Sequence, residues 1–105
     1  MTTTPALQLR TYRLRDGAVD EFLALWRDHV VPARRALGFE VVGAWLDRER
    51  REFTWIASHP APDGLEAAER RYLDSPEKAA IPRRPGELFE SSSVREVVAV
   101  APTPA

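Results

Sequence analysis

Apolar side chains return every three or four positions between residues 19 and 37. Val19, Phe22, Leu23, Trp26, Val30, Ala33 and Leu37 fall on one stripe, which predicts an amphipathic helix over 18–37. Asp20 and Glu21 in its first turn and Arg34 and Arg35 near its end suit the helix dipole. Pro32 lies inside this pattern and has no N–H for the carbonyl of Asp28. The helix is therefore expected to kink, widen or stop there. Gly38 follows the last apolar position, where a left-handed residue can end a helix.

Around this helix the period changes to two. Leu7-Gln8-Leu9-Arg10-Thr11-Tyr12-Arg13-Leu14 reads as a first strand, with Leu7, Leu9 and Thr11 on one face and Gln8, Arg10, Tyr12 and Leu14 on the other. The second strand, 39–46, is apolar on both faces: simple alternation sets Phe39, Val41 and Trp45 against Val42, Ala44 and Leu46. A polar connection at 47–52 leads to the third strand, 53–58, with Phe53 and Trp55 opposite Ile56. Asp63-Gly64-Leu65-Glu66 has capping-box spacing, and the helix after it is expected to turn Leu65, Ala68, Tyr72 and Leu73 inward and Glu66, Glu69, Arg70 and Arg71 outward. Ser75-Pro76 opens a short helix to about Ile81, and 88–100 forms a last strand that the Ser91-Ser92-Ser93 stretch is expected to bend or bulge. The order β-α-β-β-α-β is that of an α+β, ferredoxin-like sandwich: a four-stranded antiparallel sheet with two helices on one face. A second strand apolar on both sides leaves the helix-free face needing a cover. The same face of a second copy would supply one, which predicts a homodimer.

Leu9-Arg10-Thr11-Tyr12, Phe22-Leu23-Ala24-Leu25-Trp26, Pro32, Gly38-Phe39 and Val42-Gly43-Ala44-Trp45 resemble the NIPSNAP family. That family belongs to the dimeric α/β-barrel superfamily, with the antibiotic-biosynthesis monooxygenases and EthD-like proteins. The resemblance spans most of residues 7–100, is strongest to Leu46, and implies one dimeric α/β-barrel domain; the short Thr-, Ala- and Pro-rich ends at 1–6 and 101–105 are expected to be flexible tails. The sequence departs from the family pattern at Ser58-His59-Pro60, where an aromatic residue and an Asp are expected.

Composition narrows the chemistry. The 105 residues hold no cysteine and two histidines, which excludes disulfides, thiolate metal sites and a cysteine nucleophile. Fifteen basic and sixteen acidic residues are interspersed, so no nucleic-acid-binding stripe is expected. No apolar run reaches the roughly 20 residues of a membrane span, and residues 1–6 lack the pattern of a secretory signal. A cytoplasmic protein is expected. There is no glycine-rich phosphate loop and no His-Glu-x-x-His spacing, so neither a cofactor nor a metal is expected.

Candidate site residues are few. His29 sits at the edge of the helical stripe, just before Pro32. EthD-like relatives have a similar His before a Pro, which implies general acid–base work for it. A boundary His bonded to kinked backbone is the competing reading. Arg10 and Tyr12 share a strand face and are placed to orient an anion or phenol, although Arg10 has Glu40 and Glu96 as alternative partners. Trp26, Trp45 and Trp55 read as core or interface residues, with pocket lining as the other view, taken up for Trp26 and Trp55 as aromatic walls. His59 reads as a strand-end residue shaped by Pro60 or as part of a pocket mouth. Ser91, Ser92 and Ser93 have no triad partners. Two readings stay open: a cofactor-independent oxygenase, cyclase or isomerase acting on an apolar or aromatic metabolite, and a noncatalytic ligand-binding or protein-interaction module.

Overall fold

In the computed structural model, which describes residues 6–101, the elements follow the predicted order. They are β1 (Ala6–Leu14), α1 (Val19–Leu25), a π-helical segment (Trp26–Val30), α2 (Val31–Ala36), β2 (Glu40–Asp47), β3 (Glu52–Ser58), α3 (Leu65–Leu73), α4 (Pro76–Ala79), a 3-10 turn (Pro85–Leu88) and β4 (Phe89–Val98). The expected tails lie outside the described residues except for Ala6, which already belongs to β1, and Ala101. The sheet order is β2-β3-β1-β4 with every neighbouring pair antiparallel, the ferredoxin-like arrangement. Among the described residues no helix is long and apolar enough to cross a membrane.

Register decides which side chains meet the helices. Gln8 opposes Ala57, Arg10 opposes Trp55 and Tyr12 opposes Phe53. These pairs face the core, where Phe22, Phe53, Trp55 and Tyr72 pack together with Leu14 and Phe39. On the other sheet face Leu9 opposes Ile56 and Thr11 opposes Thr54.

Strand β2 corrects the simple alternation. Val41 pairs with Ala57 but Gly43, not Val42, pairs with Ile56, so Val42 is an extra residue in a bulge. The bulge reverses the phase: Val41, Ala44 and Leu46 pack against the core, while Trp45 turns to the helix-free face, 57% exposed. Its indole lies over Gly43, where an added Cβ would stand 2.7 Å from the ring.

Pro32 acts as expected, through a widened turn. The N–H of Val31 donates to the carbonyl of Trp26, five residues back, and this wider turn takes in the proline without ending the helix. Gly38 follows α2 at φ +92°, left-handed as expected. Ser75 caps α4 by accepting from the N–H of Lys78 at 3.1 Å, but the helix stops at Ala79, short of Ile81. The expected capping box at 63–66 does not form: Gly64 is the N-cap with no side-chain bond, and Asp63 pairs instead with Arg71. The bulge expected at the three serines of β4 is displaced by one residue. Ser91, Ser92 and Ser93 pair regularly with Arg13, Tyr12 and Thr11, and the irregularity lies one residue earlier, at Glu90.

Candidate functional site

A cavity of about 750 Å³ opens between the sheet and the helices, with Arg10, Tyr12 and Trp55 as its floor. Arg10 and Tyr12 reach it because they lie two apart on the core face of β1. Trp26 and Val30 form part of its wall, so the inward side of the π-helical segment is a cavity surface. Phe22, Tyr72 and Phe89 add aromatic walls. Tyr12 stacks on Phe89 with ring centroids 4.1 Å apart.

One polar network crosses the floor. Arg10 donates from Nε to Gln8 at 2.9 Å, from Nη1 to the Tyr12 hydroxyl at 3.2 Å and from Nη2 to Glu69 Oε1 at 2.7 Å. Trp55 Nε1 donates to the same Tyr12 oxygen at 3.0 Å. Arg34 clasps Glu69 with both terminal nitrogens, Nη1 on Oε2 and Nη2 on Oε1, the latter at 3.0 Å. Its guanidinium lies over the Tyr72 ring, 3.8 Å from the centroid, and near Phe39.

The network sets the charge states. Burial alone would raise the Glu69 carboxyl, but the hydrogen bonds and charge of Arg34, with Arg10 behind them, outweigh it and hold the group below 4.5. Burial pulls Arg10 down, yet Tyr12 and Glu69 more than offset it and the net shift is upward. Tyr72 is pushed up, chiefly by burial. Arg34 Nε and Trp26 Nε1 are buried without a hydrogen-bond partner. Arg34 rests on aromatic faces, and Trp26 stands edge-on to Phe53 and Trp55; ring faces are weak substitutes for an oxygen acceptor.

Of the residues expected at the site, Arg10, Tyr12, Trp26 and Trp55 come together here. His29 and His59 do not. His29 is exposed and lines a separate surface hollow with Pro32 and Glu77. The added residue in the π turn rotates it off the stripe on which an α-helical wheel would place it. His59 is tied into the backbone: Nε2 donates to the carbonyl of Leu37 at 2.8 Å and Nδ1 accepts from the N–H of Ala61 at 2.9 Å. These bonds correspond to one neutral tautomer and staple the end of β3 to the end of α2. Arg10 pairs with neither Glu40 nor Glu96 but with Glu69.

Two network residues were placed elsewhere by sequence reasoning, Glu69 on the outer face and Arg34 only as a helix-end charge. The wheel held a signal for both. Glu69 lies four residues after Leu65, and Arg34 lies four after Val30, so each shares a stripe with a buried neighbour. Among the described residues, no three His, Cys, Asp or Glu side chains gather as a metal site requires.

The family model for NIPSNAP proteins matches residues 7–95. The chain belongs to the NIPSNAP family. No functionally curated protein is significantly similar to it. Among solved structures, it resembles a NIPSNAP family protein with unknown function from Agrobacterium tumefaciens, at 19% identity and TM-score 0.82, covering 99% of this chain and 96% of that one. It also resembles an uncharacterized NIPSNAP domain protein from Burkholderia xenovorans, at 20% identity and TM-score 0.78, over 95% of this chain and 99% of that one. A protein described as an antibiotic biosynthesis monooxygenase shares the fold at 16% identity and TM-score 0.68, over 91% and 99% of the two chains. At these identities the likeness is one of fold.

Proposed function

We propose that this NIPSNAP protein is a small-molecule-binding homodimer whose helix–sheet cavity receives an apolar or aromatic metabolite. The observation that carries the reading is the cavity's composition: aromatic walls around a few convergent polar groups, the usual make-up of a ligand site. Binding without catalysis is favoured by what the lining lacks. No imidazole lines it, and Glu69, the carboxylate on its floor, is held ionised by two arginines and occupied by them, so it is not a free general base. The enzymatic alternative, an oxygenase, cyclase or isomerase, would draw its proton donor from Tyr12, whose oxygen accepts from Arg10 and Trp55 and whose own hydrogen no described residue accepts.

The dimer rests on the helix-free sheet face. Leu9, Ile56 and Trp45 lie on it, with Leu7 and Val97 paired at its far side. A second copy presenting the same face would bury Trp45 and close an isologous interface. For the cavity, titration with the neutral probe 2-naphthamide tests the reading, because Trp26 and Trp55 are built-in fluorophores. Saturable quenching is expected. Absence of quenching up to the solubility limit by both this probe and its carboxylate counterpart, 2-naphthoate, would remove the ligand-binding role.

A further inference from the structure

We propose that the cavity selects an organic anion, an aromatic monocarboxylate, over neutral molecules of the same shape. The proposal rests on the cavity being a ligand site and adds the charge and the polar end of the ligand.

Electrostatics at the floor lead to it. Two guanidiniums share one carboxylate there, and the side chains of Arg10 and Arg34 are only 11% and 5% exposed. The Arg10–Glu69–Arg34 set therefore holds one net positive charge away from bulk water. A buried charge is costly unless a counter-charge meets it, and a ligand carboxylate would be that counter-charge.

Donors are available to hold it. Arg10 commits three of its five N–H groups, to Gln8, Tyr12 and Glu69, which leaves two. The Tyr12 oxygen accepts from both Arg10 and Trp55, so its own hydrogen is free to donate into the space above the floor. A carboxylate there can accept from Arg10 and Tyr12 together, and charge-assisted bonds of this kind are the strong ones.

The mouth agrees in sign. Lys78, Arg83 and Arg84 line it, against the single carboxylate of Glu87. Arg83 is engaged with Glu21 at 2.6 Å, while Lys78 and Arg84 form no ion pair among the described residues. A cationic rim raises the local concentration of anions and speeds their entry. The walls set the rest of the ligand: Phe22, Trp26, Trp55, Tyr72 and Phe89 suit a flat apolar body.

Two matched probes test the charge alone. Wild-type protein titrated with 2-naphthoate and with 2-naphthamide should bind the carboxylate at least tenfold more tightly at low ionic strength. The Lys78→Gln/Arg84→Gln double variant should weaken 2-naphthoate severalfold and leave 2-naphthamide unchanged, and circular dichroism confirms its fold. Arg10→Gln should abolish the preference between the probes. Equal affinities, or tighter binding of the amide, would overturn the anion proposal while leaving the ligand cavity standing. Failure of both probes would overturn both.

Discussion

Removing the charge of Glu69 is the most informative perturbation of this molecule. Glu69→Gln keeps the shape but leaves Arg10 and Arg34 buried without a counter-charge, and it sets an amide N–H₂ against a guanidinium where a second oxygen accepted. Breaking a buried pair by removing one partner costs about 3–5 kcal/mol. Glu69 keeps 18% of its side-chain surface in water, so the low end, about 3 kcal/mol, is expected. For a domain of this size that corresponds to a fall in Tm of about 12–24 °C. Urea unfolding at one fixed protein concentration measures it. Replacing the whole set, as Arg10→Met, Arg34→Met and Glu69→Met together, should recover most of the loss, because no unpaired charge then remains. The pH dependence has a definite sign. The Glu69 carboxyl is depressed in the folded state, so its contribution is fully present above the ordinary carboxylate range and is lost as pH falls through the folded value. Wild type should hold a constant advantage over Glu69→Gln above that range and lose it in acid. A loss below about 1 kcal/mol at neutral pH would refute the description of Glu69 as the counter-charge of the core.

Other outcomes follow from the same geometry. His59→Ala should cost about 1–2 kcal/mol in urea unfolding, since it orphans the Leu37 carbonyl and the Ala61 N–H, yet leave probe binding unchanged. His29→Gln should change stability by less than about 0.5 kcal/mol and binding not at all, because the ring is exposed and outside the cavity. Gly38→Ala forces a side chain to φ +92° with its Cβ 2.9 Å from the His59 ring, and a loss of roughly 1–3 kcal/mol is expected by thermal unfolding. If the proposed homodimer forms, wild type should sediment at twice the chain mass and Trp45→Lys, which places a charge on the helix-free sheet face, at the single-chain mass; equal masses for the two would refute that face as the interface.

The fold was legible because its signals are periodic and redundant. The stripe from Val19 to Leu37, the glycine at its end and the alternating Gln8-Arg10-Tyr12-Leu14 face each pointed to the element that forms. What failed were single-residue insertions into those periods. The bulge at Val42 turned Trp45 to the opposite face, the π turn moved His29 out to solvent, and the extra Glu90 took the irregularity expected of the serines. An inserted residue shifts the phase of everything after it, and no periodic template carries that information. At the site, Arg10, Tyr12, Trp26 and Trp55 could be placed from strand parity and the helical stripe. Glu69 and Arg34 were harder, since a charge on a helix is more often solvated, and it is their pairing with each other, with Arg10 on Glu69 and aromatic rings under Arg34, that stabilises them in the interior.

The central claim is that ligands enter between the helices and the sheet, and the three tryptophans allow it to be tested in one spectrum. Trp26 and Trp55 line the cavity, whereas Trp45 lies on the opposite sheet face. In a ¹⁵N–¹H correlation spectrum each indole N–H gives its own signal. On addition of 2-naphthoate and, separately, of 2-naphthamide, the Trp26 and Trp55 signals should shift along saturable curves with a common Kd for each probe while Trp45 stays in place. A shift confined to Trp45, or three signals that move with neither probe, would contradict the account.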